Sequence, residues 1–311
     1  VQGLNPLHFL SHTKGNLNMK KKPVTHTVLV LDQSGSMEET RAAAVQNYNE
    51  QIQQAKLNSK DQDIFCSLVT FNGEVFEHVW AEPAEKLNEA TEADYVAEGA
   101  TAMRDAIGYT VKKLLETTDH NDKNVSYLVV IISDGKENSS KHFKQLSDYD
   151  IRNGKKDELK YMMEEVQKTK RWTFTYMGCD DAYIKQVSEE TAIPIANCAK
   201  WSNATLAMAA KGLYQNRAKL EKFYACRAAG ETSSEHVYSD AICSADFTAD
   251  ELVESGPVGG IVMNPAWSVS NGINGINAVK FDALKVDANV NVVNNANASS
   301  QPFTNRSPVT W

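Results

Sequence analysis

The stretch HTVLVLDQSGSM, residues 26–37, joins a run of β-branched and aliphatic residues to a loop that places one carboxylate and two hydroxyls, Asp32, Ser34 and Ser36, at alternate positions. A short apolar run with no polar alternation reads as a strand covered on both faces, which is the environment of a central strand in a parallel sheet. The loop that follows then stands at the carboxyl end of that strand.

The same pattern repeats outward from this point. YLVVII (127–132) and WTFTYMG (172–178) are the other clear strand runs. Between and after them lie stripes at helical spacing: Val45, Tyr48, Ile52 and Ala55; Met103, Ile107, Val111 and Leu114; Leu159, Met162, Met163 and Val166; Leu206, Ala210, Leu213 and Leu220. Strands alternating with amphipathic helices over residues 26–225 predict an α/β fold, a doubly wound, mostly parallel sheet. Asn72-Gly73 sits between two strand-like runs in SLVTFNGEVFEHVW, which predicts a hairpin with positive φ at both turn residues and an antiparallel edge strand near 75–80. No GxGxxG follows the first strand and no GxxxxGK is present, so neither a dinucleotide cofactor nor ATP is indicated.

Composition narrows the function classes. With 311 residues, of which 42% are apolar, the chain holds enough material for one ordinary core and extensions. The formal net charge of -8, with Lys and Arg scattered, argues against nucleic acid as a partner. Five cysteines without a CxxC suggest a reducing, cytoplasmic setting, and no run approaches membrane-spanning length. Residues 1–22 read as an N-terminal extension, within which Met19 before Lys20–Lys22 is a plausible native start that would make residues 1–18 an upstream addition. His8 and His12 lie four apart there but lack an acidic or third ligand.

In an open α/β sheet, functional groups collect beyond the carboxyl ends of the strands. Three loops meet there on chemistry: Asp32, Ser34 and Ser36 after the first strand, Thr101 in GATAMRD at a helix start, and Asp134 in SDGKEN after YLVVII. Two carboxylates in one partly desolvated place repel each other, and a divalent cation removes that cost. All five side chains are hard oxygen donors, which selects Mg²⁺ or Mn²⁺ over zinc or copper. Each element also has a purely structural reading: a helix cap and Asx turn for DxSxS, an ordinary turn for Asp134-Gly135, an N-cap for Thr101, and charge neutralisation by Lys136.

DQSGSM, GATAMRD and IISDG, in that order, resemble the three parts of the metal-ion-dependent adhesion site of von Willebrand factor type A domains. The resemblance covers about residues 24–225, and YMGCDDAYI is similar to small stand-alone A-domain proteins of bacteria and phages. It implies a binding module in which Ser34, Ser36 and Thr101 ligate the ion, Asp32 and Asp134 hold it largely through water, and a protein partner's Asp or Glu fills the open position. It also implies a last helix, about 203–225, that shifts with the state of the site, and a role as an adaptor or, alternatively, as a component of a phage particle in the virion. Glu137, Asp180 and Asp181 are expected at the partner rim.

An enzyme is the rival class. A hydrolase would use Ser34 or Ser36 as nucleophile with His142, expected to open the next helix, as the only candidate base, since His26 starts the strand at its far end; a metal-dependent hydrolase acting through a metal-activated water would need Glu137 as base. SGS lacks the GxSxG elbow, so no enzymatic activity is expected.

Outside the domain at 23–225, residues 226–311 carry four basic and nine acidic residues, and ten asparagines fall between 264 and 305. Within this tail LKVDANVNV alternates strictly, which predicts a strand near 279–292. Its apolar side needs a sheet edge, either the domain's own near 75–80 or that of a neighbouring subunit, the second of these giving self-assembly. Residues 294–308 read as low-complexity linker.

Overall fold

The computed structural model describes residues 21–200, 206–231, 302–303 and 307–311. β1 (Val24–Asp32) is the centre of a six-stranded sheet in the order β3-β2-β1-β4-β5-β6, with β2 Asp63–Phe71, β3 Val75–Pro83, β4 Val125–Ile132, β5 Trp172–Gly178 and β6 Cys198–Lys200. All pairs are parallel except β2 with β3. β1 and β4 are apolar on both faces because both faces are covered. Leu29 and Leu31 point into one core with Val45, Tyr48 and Ile52 of α1 (Arg41–Asn58). Val28 and Val30 point into the other with Met103, Ile107 and Val111 of α2 (Met103–Thr117). Each such side chain, fully buried, contributes about 1.5–3 kcal/mol.

Three further helices follow in the chain: α3 (Asp148–Arg152), α4 (Glu158–Gln167) and α5 (Asp181–Thr191). α4 and α5 join α2 on its face of the sheet. α6 (Leu206–Ala228) lies beside α1, burying Leu220, Phe223 and Tyr224, while the side chains of Leu206, Ala210 and Leu213 lie outside the described part. Gly108 on α2 permits a close approach: a Cβ there would stand 2.1 Å from the Phe143 ring. Among the described residues no helix is long and apolar enough to cross a membrane.

Two local expectations need correction. The β2–β3 hairpin is present, but its strands close at Phe71 and Val75, so three residues intervene rather than two. Neither Asn72 nor Gly73 takes positive φ; the Asn72 side chain accepts the Glu74 N–H at 3.0 Å and turns the chain by itself. His142 does not open a helix. Residues 138–147 form an irregular segment over α2, held by Asp105, whose carboxylate accepts the N–H groups of Lys141, His142 and Phe143.

The alternating segment 279–292 lies outside the described residues, as do His8 and His12. It is the stretch after it that meets β3. Pro308 forms an antiparallel bridge with Phe76, and the Val309 N–H donates to the Val75 carbonyl at 2.9 Å. Pro302 and Phe303 are buried, so the linker reading of 294–308 fails at these positions.

Candidate metal centre

Register brings the first and last loops together. β1 and β4 pair with Leu31 opposite Ile132, so the next residues, Asp32 and Ser133, emerge side by side at the carboxyl edge. The Ser133 hydroxyl donates to Asp32 Oδ2 at 2.5 Å, and the Ser34 N–H donates to Oδ1 at 2.7 Å. Ser34 Oγ lies 3.1 Å from Ser36 Oγ, which in turn donates to Asp134 Oδ1 at 2.7 Å.

Thr101 arrives from a third direction. It is not the N-cap of α2: that helix starts at Met103, and the position before it is Ala102, whose side chain caps nothing. Instead the Thr101 N–H donates to Asn138 Oδ1 at 2.9 Å, and its carbonyl accepts the N–H groups of Asn138 and Ser139. This fixes Thr101 against the loop of Asp134. Its hydroxyl is turned to the same spot as the two serines: a Cβ placed on Gly135 would stand 3.1 Å from Ser36 Oγ, 3.2 Å from Thr101 Oγ1 and 3.6 Å from Ser34 Oγ. All five expected donors therefore come together, in a space that the missing side chain of Gly135 leaves clear.

Among the described residues no cationic side chain pairs with the Asp32 or Asp134 carboxylate. Asp32 is fully buried, and burial pushes its carboxyl up to about 6 against the opposing hydrogen bonds from Ser133 and Ser34; the charge of Asp134 adds to the rise. Burial also raises the Asp134 carboxyl, against the Ser36 hydroxyl. The groups that reach both carboxylates are hydroxyls and backbone N–H groups, while Lys136 is exposed. Among the described residues no three His, Cys, Asp or Glu side chains gather as a metal cluster, so a cation here would rest on two carboxylates and three hydroxyls. That donor set fits a hard ion such as Mg²⁺ or Mn²⁺.

The expected rim residues have other partners. Both Glu137 oxygens are engaged, by the N–H groups of Arg104, Ser139 and Ser140 and by the Ser140 hydroxyl. Asp180 caps α5 by accepting the Tyr183 N–H at 2.8 Å, and Asp181 pairs with Lys200 at 2.6 Å. Sequence reasoning passed over Ser133 and Tyr95. The Tyr95 hydroxyl donates to the Asp32 carbonyl, and nothing in the local sequence announces that role. Gly99, at φ +79°, accepts the Gly35 N–H at 3.1 Å and ties the loop before Thr101 to the DxSxS loop.

Residues 27–156 match the family model for the von Willebrand factor type A domain. This chain carries a von Willebrand factor type A domain. No curated protein matches it by sequence. Among solved structures, it is similar to a von Willebrand factor type A protein from Catenulispora acidiphila at 14% identity and a TM-score of 0.40, over 64% of this chain and 43% of that one. The ArnB paralog VWA2 from Sulfolobus acidocaldarius matches at 16% identity and 0.37, over 64% and 44%. The PilB minor pilin from Streptococcus sanguinis matches at 11% and 0.41, over 65% and 62%. The type A chain thus spans less than half the length of the first two.

Proposed function

We propose that this type A domain is a metal-dependent protein-binding module that captures an Asp or Glu side chain of a partner protein. The observation that carries the reading is the convergence of the Ser34, Ser36 and Thr101 hydroxyls with Asp134 in the space in front of Gly135, backed by buried Asp32. Ser34, Ser36 and Thr101 would hold a Mg²⁺-type ion directly, with Asp32 and Asp134 neutralising it, in part through water. The bound ion supplies a coordination position for an incoming carboxylate. The chain's own residues do the rest: Ser133 and the Ser34 N–H orient Asp32, Tyr95 holds its backbone, and Asn138 and Gly99 set the loop that presents Thr101.

Binding is favoured over hydrolysis because Glu137, the acidic base that a metal-activated water would need, has both oxygens committed to the loop. The test is calorimetry of the full chain with Mg²⁺ and Mn²⁺, with and without acetate as a carboxylate probe, beside Asp32→Ala and Thr101→Ala. A metal signal strengthened by acetate and absent in both variants is expected. Identical traces for all three proteins would overturn the reading.

A further inference from the structure

Residues 302–303 and 307–311 meet the free side of β3 with one aromatic anchor on each face of the sheet. Phe303 is buried in the α1-side core, its ring 5.4 Å from Tyr48, 5.6 Å from His78 and 6.0 Å from Tyr95. Trp311 lies on the α2 side, stacked on His142 at 4.0 Å and against Tyr109 at 5.9 Å and Phe143 at 6.1 Å. Between the anchors, Pro308 and Val309 pair with Phe76 and Val75 of β3. Phe303 holds φ at +64°, a left-handed conformation unfavourable for a side-chain-bearing residue, so its pocket outweighs a local cost. Two aromatic pockets flanking a strand edge form a receptor for an extended peptide.

We propose that this groove is a strand-docking site for the 303–311 segment of a second copy of the chain, so that two copies exchange segments reciprocally. Every contact named above runs between the segment and residues 48–143; none requires that both belong to one molecule. Residues 232–301 join the end of α6 to the segment and could reach roughly 230 Å at about 3.3 Å each, so their length does not tie it to its own groove. Cis and trans docking form the same contacts, and the balance between them follows chain concentration. Release from the own groove is within reach because Trp311 is 48% exposed and the described backbone pairing is short. Reciprocal exchange closes with two-fold symmetry and fills both edges.

Full-length chains carrying Phe76→Cys or Pro308→Cys separately are mixed and mildly oxidised. Residues bridged across an antiparallel pair lie about 4.5–5.5 Å apart at Cα, within disulfide reach. The expected result is a covalent heterodimer, rising with concentration to at least about tenfold over either variant alone, and reduced about tenfold by adding Trp311→Ala to the Pro308→Cys chain. A chain carrying both cysteines should cross-link internally when dilute and between chains when concentrated. No heterodimer above the single-variant background at any concentration would overturn the proposal, as would failure of the double variant to cross-link at all. Sedimentation of the unmodified chain gives an independent reading: a concentration-dependent dimer lost in Phe303→Ala and Trp311→Ala is expected, and a monomer throughout would equally overturn it.

Discussion

At the carboxyl end of β1, Asp32 is buried with Asp134 nearby, and among the described residues hydroxyls and backbone N–H groups reach them. At the amino end of the same sheet many buried polar groups have partners, although His26 Nδ1, Ser126 Oγ and Arg227 Nε find none among the described residues. His26 stacks between Phe65 and Tyr127, Thr25 donates to Gln62 at 2.9 Å, and the Tyr224 hydroxyl meets Thr27 at 2.9 Å. Arg227, 2% exposed, donates to the Asn124 carbonyl at 2.8 Å and to that of Glu231, and Arg171 donates to the carbonyls of Asp122 and Val125. One end therefore serves the fold, fastening α6 to the strands. The other retains two carboxylates in low dielectric, an arrangement that costs stability and that the proposed cation would relieve.

If this contrast holds, damage at the two ends should differ in sign. The largest effect is expected for Arg227→Met, which removes a buried guanidinium's hydrogen bonds to the Asn124 and Glu231 carbonyls: a loss of about 3 kcal/mol in urea unfolding, with the metal response intact. A loss below about 1 kcal/mol would mean that the amino end is not the clamp described.

Asp32→Asn should do the opposite, gaining about 2 kcal/mol in metal-free buffer at neutral pH while abolishing the metal response. The pH dependence sharpens this. The folded-state pKa of Asp32 is raised from 3.8 to about 6, so its contribution is fully present below the unfolded value and is lost as pH rises through 6. Burial lowers His26 and His78 from 6.5 to about 4, so their contributions are present above 6.5 and are lost as pH falls through 4. Between pH 6.5 and 4 Asp32 and the two histidines work against each other in the wild type. Asp32→Asn removes the arm that favours acid, and its urea midpoint should fall more steeply on acidification than that of the wild type. Parallel curves would break the assignment.

Gly135→Ala separates function from fold at the carboxyl end. A methyl group 3.1 Å from Ser36 Oγ and 3.2 Å from Thr101 Oγ1 would occupy the space proposed for the ion, so calorimetric metal binding should be lost with a stability change within about 1 kcal/mol. Smallest of all is Gly73→Ala at the neighbouring hairpin, expected to shift stability by no more than about 0.5 kcal/mol. The residue does not use positive φ, and a Cβ there would meet Ala100 only at 3.8 Å. A large loss would restore the two-residue turn that the Asn-Gly pair suggests.

The five oxygen-bearing positions of the candidate site were legible because each sits close to an element with a strong periodic signal: Asp32, Ser34 and Ser36 at or after the end of an all-apolar strand, Asp134 after another, Thr101 just before an amphipathic helix. Residues whose role depends on distant partners were not. Glu137 reads as a free rim acid until the fold shows four donors closing on its two oxygens. His142 looks like the start of a helix, but Asp105 holds that stretch irregular through its backbone. Phe303 stands in a stretch without apolar period, and only the aromatic pocket of α1, β3 and Tyr95 gives it a place.

By itself the sequence determined the βαβ alternation, the antiparallel hairpin and the loops that carry the oxygen-bearing residues of the candidate site, since periodicity and turn residues are properties of a few neighbouring residues. Tertiary structure decided which of these meet. The β1–β4 register sets Ser133 beside Asp32, Gly135 clears the space for three hydroxyls, and the 302–311 segment finds β3 across more than 200 residues of chain. Contacts of that range depend on how whole elements pack, and no local pattern encodes them.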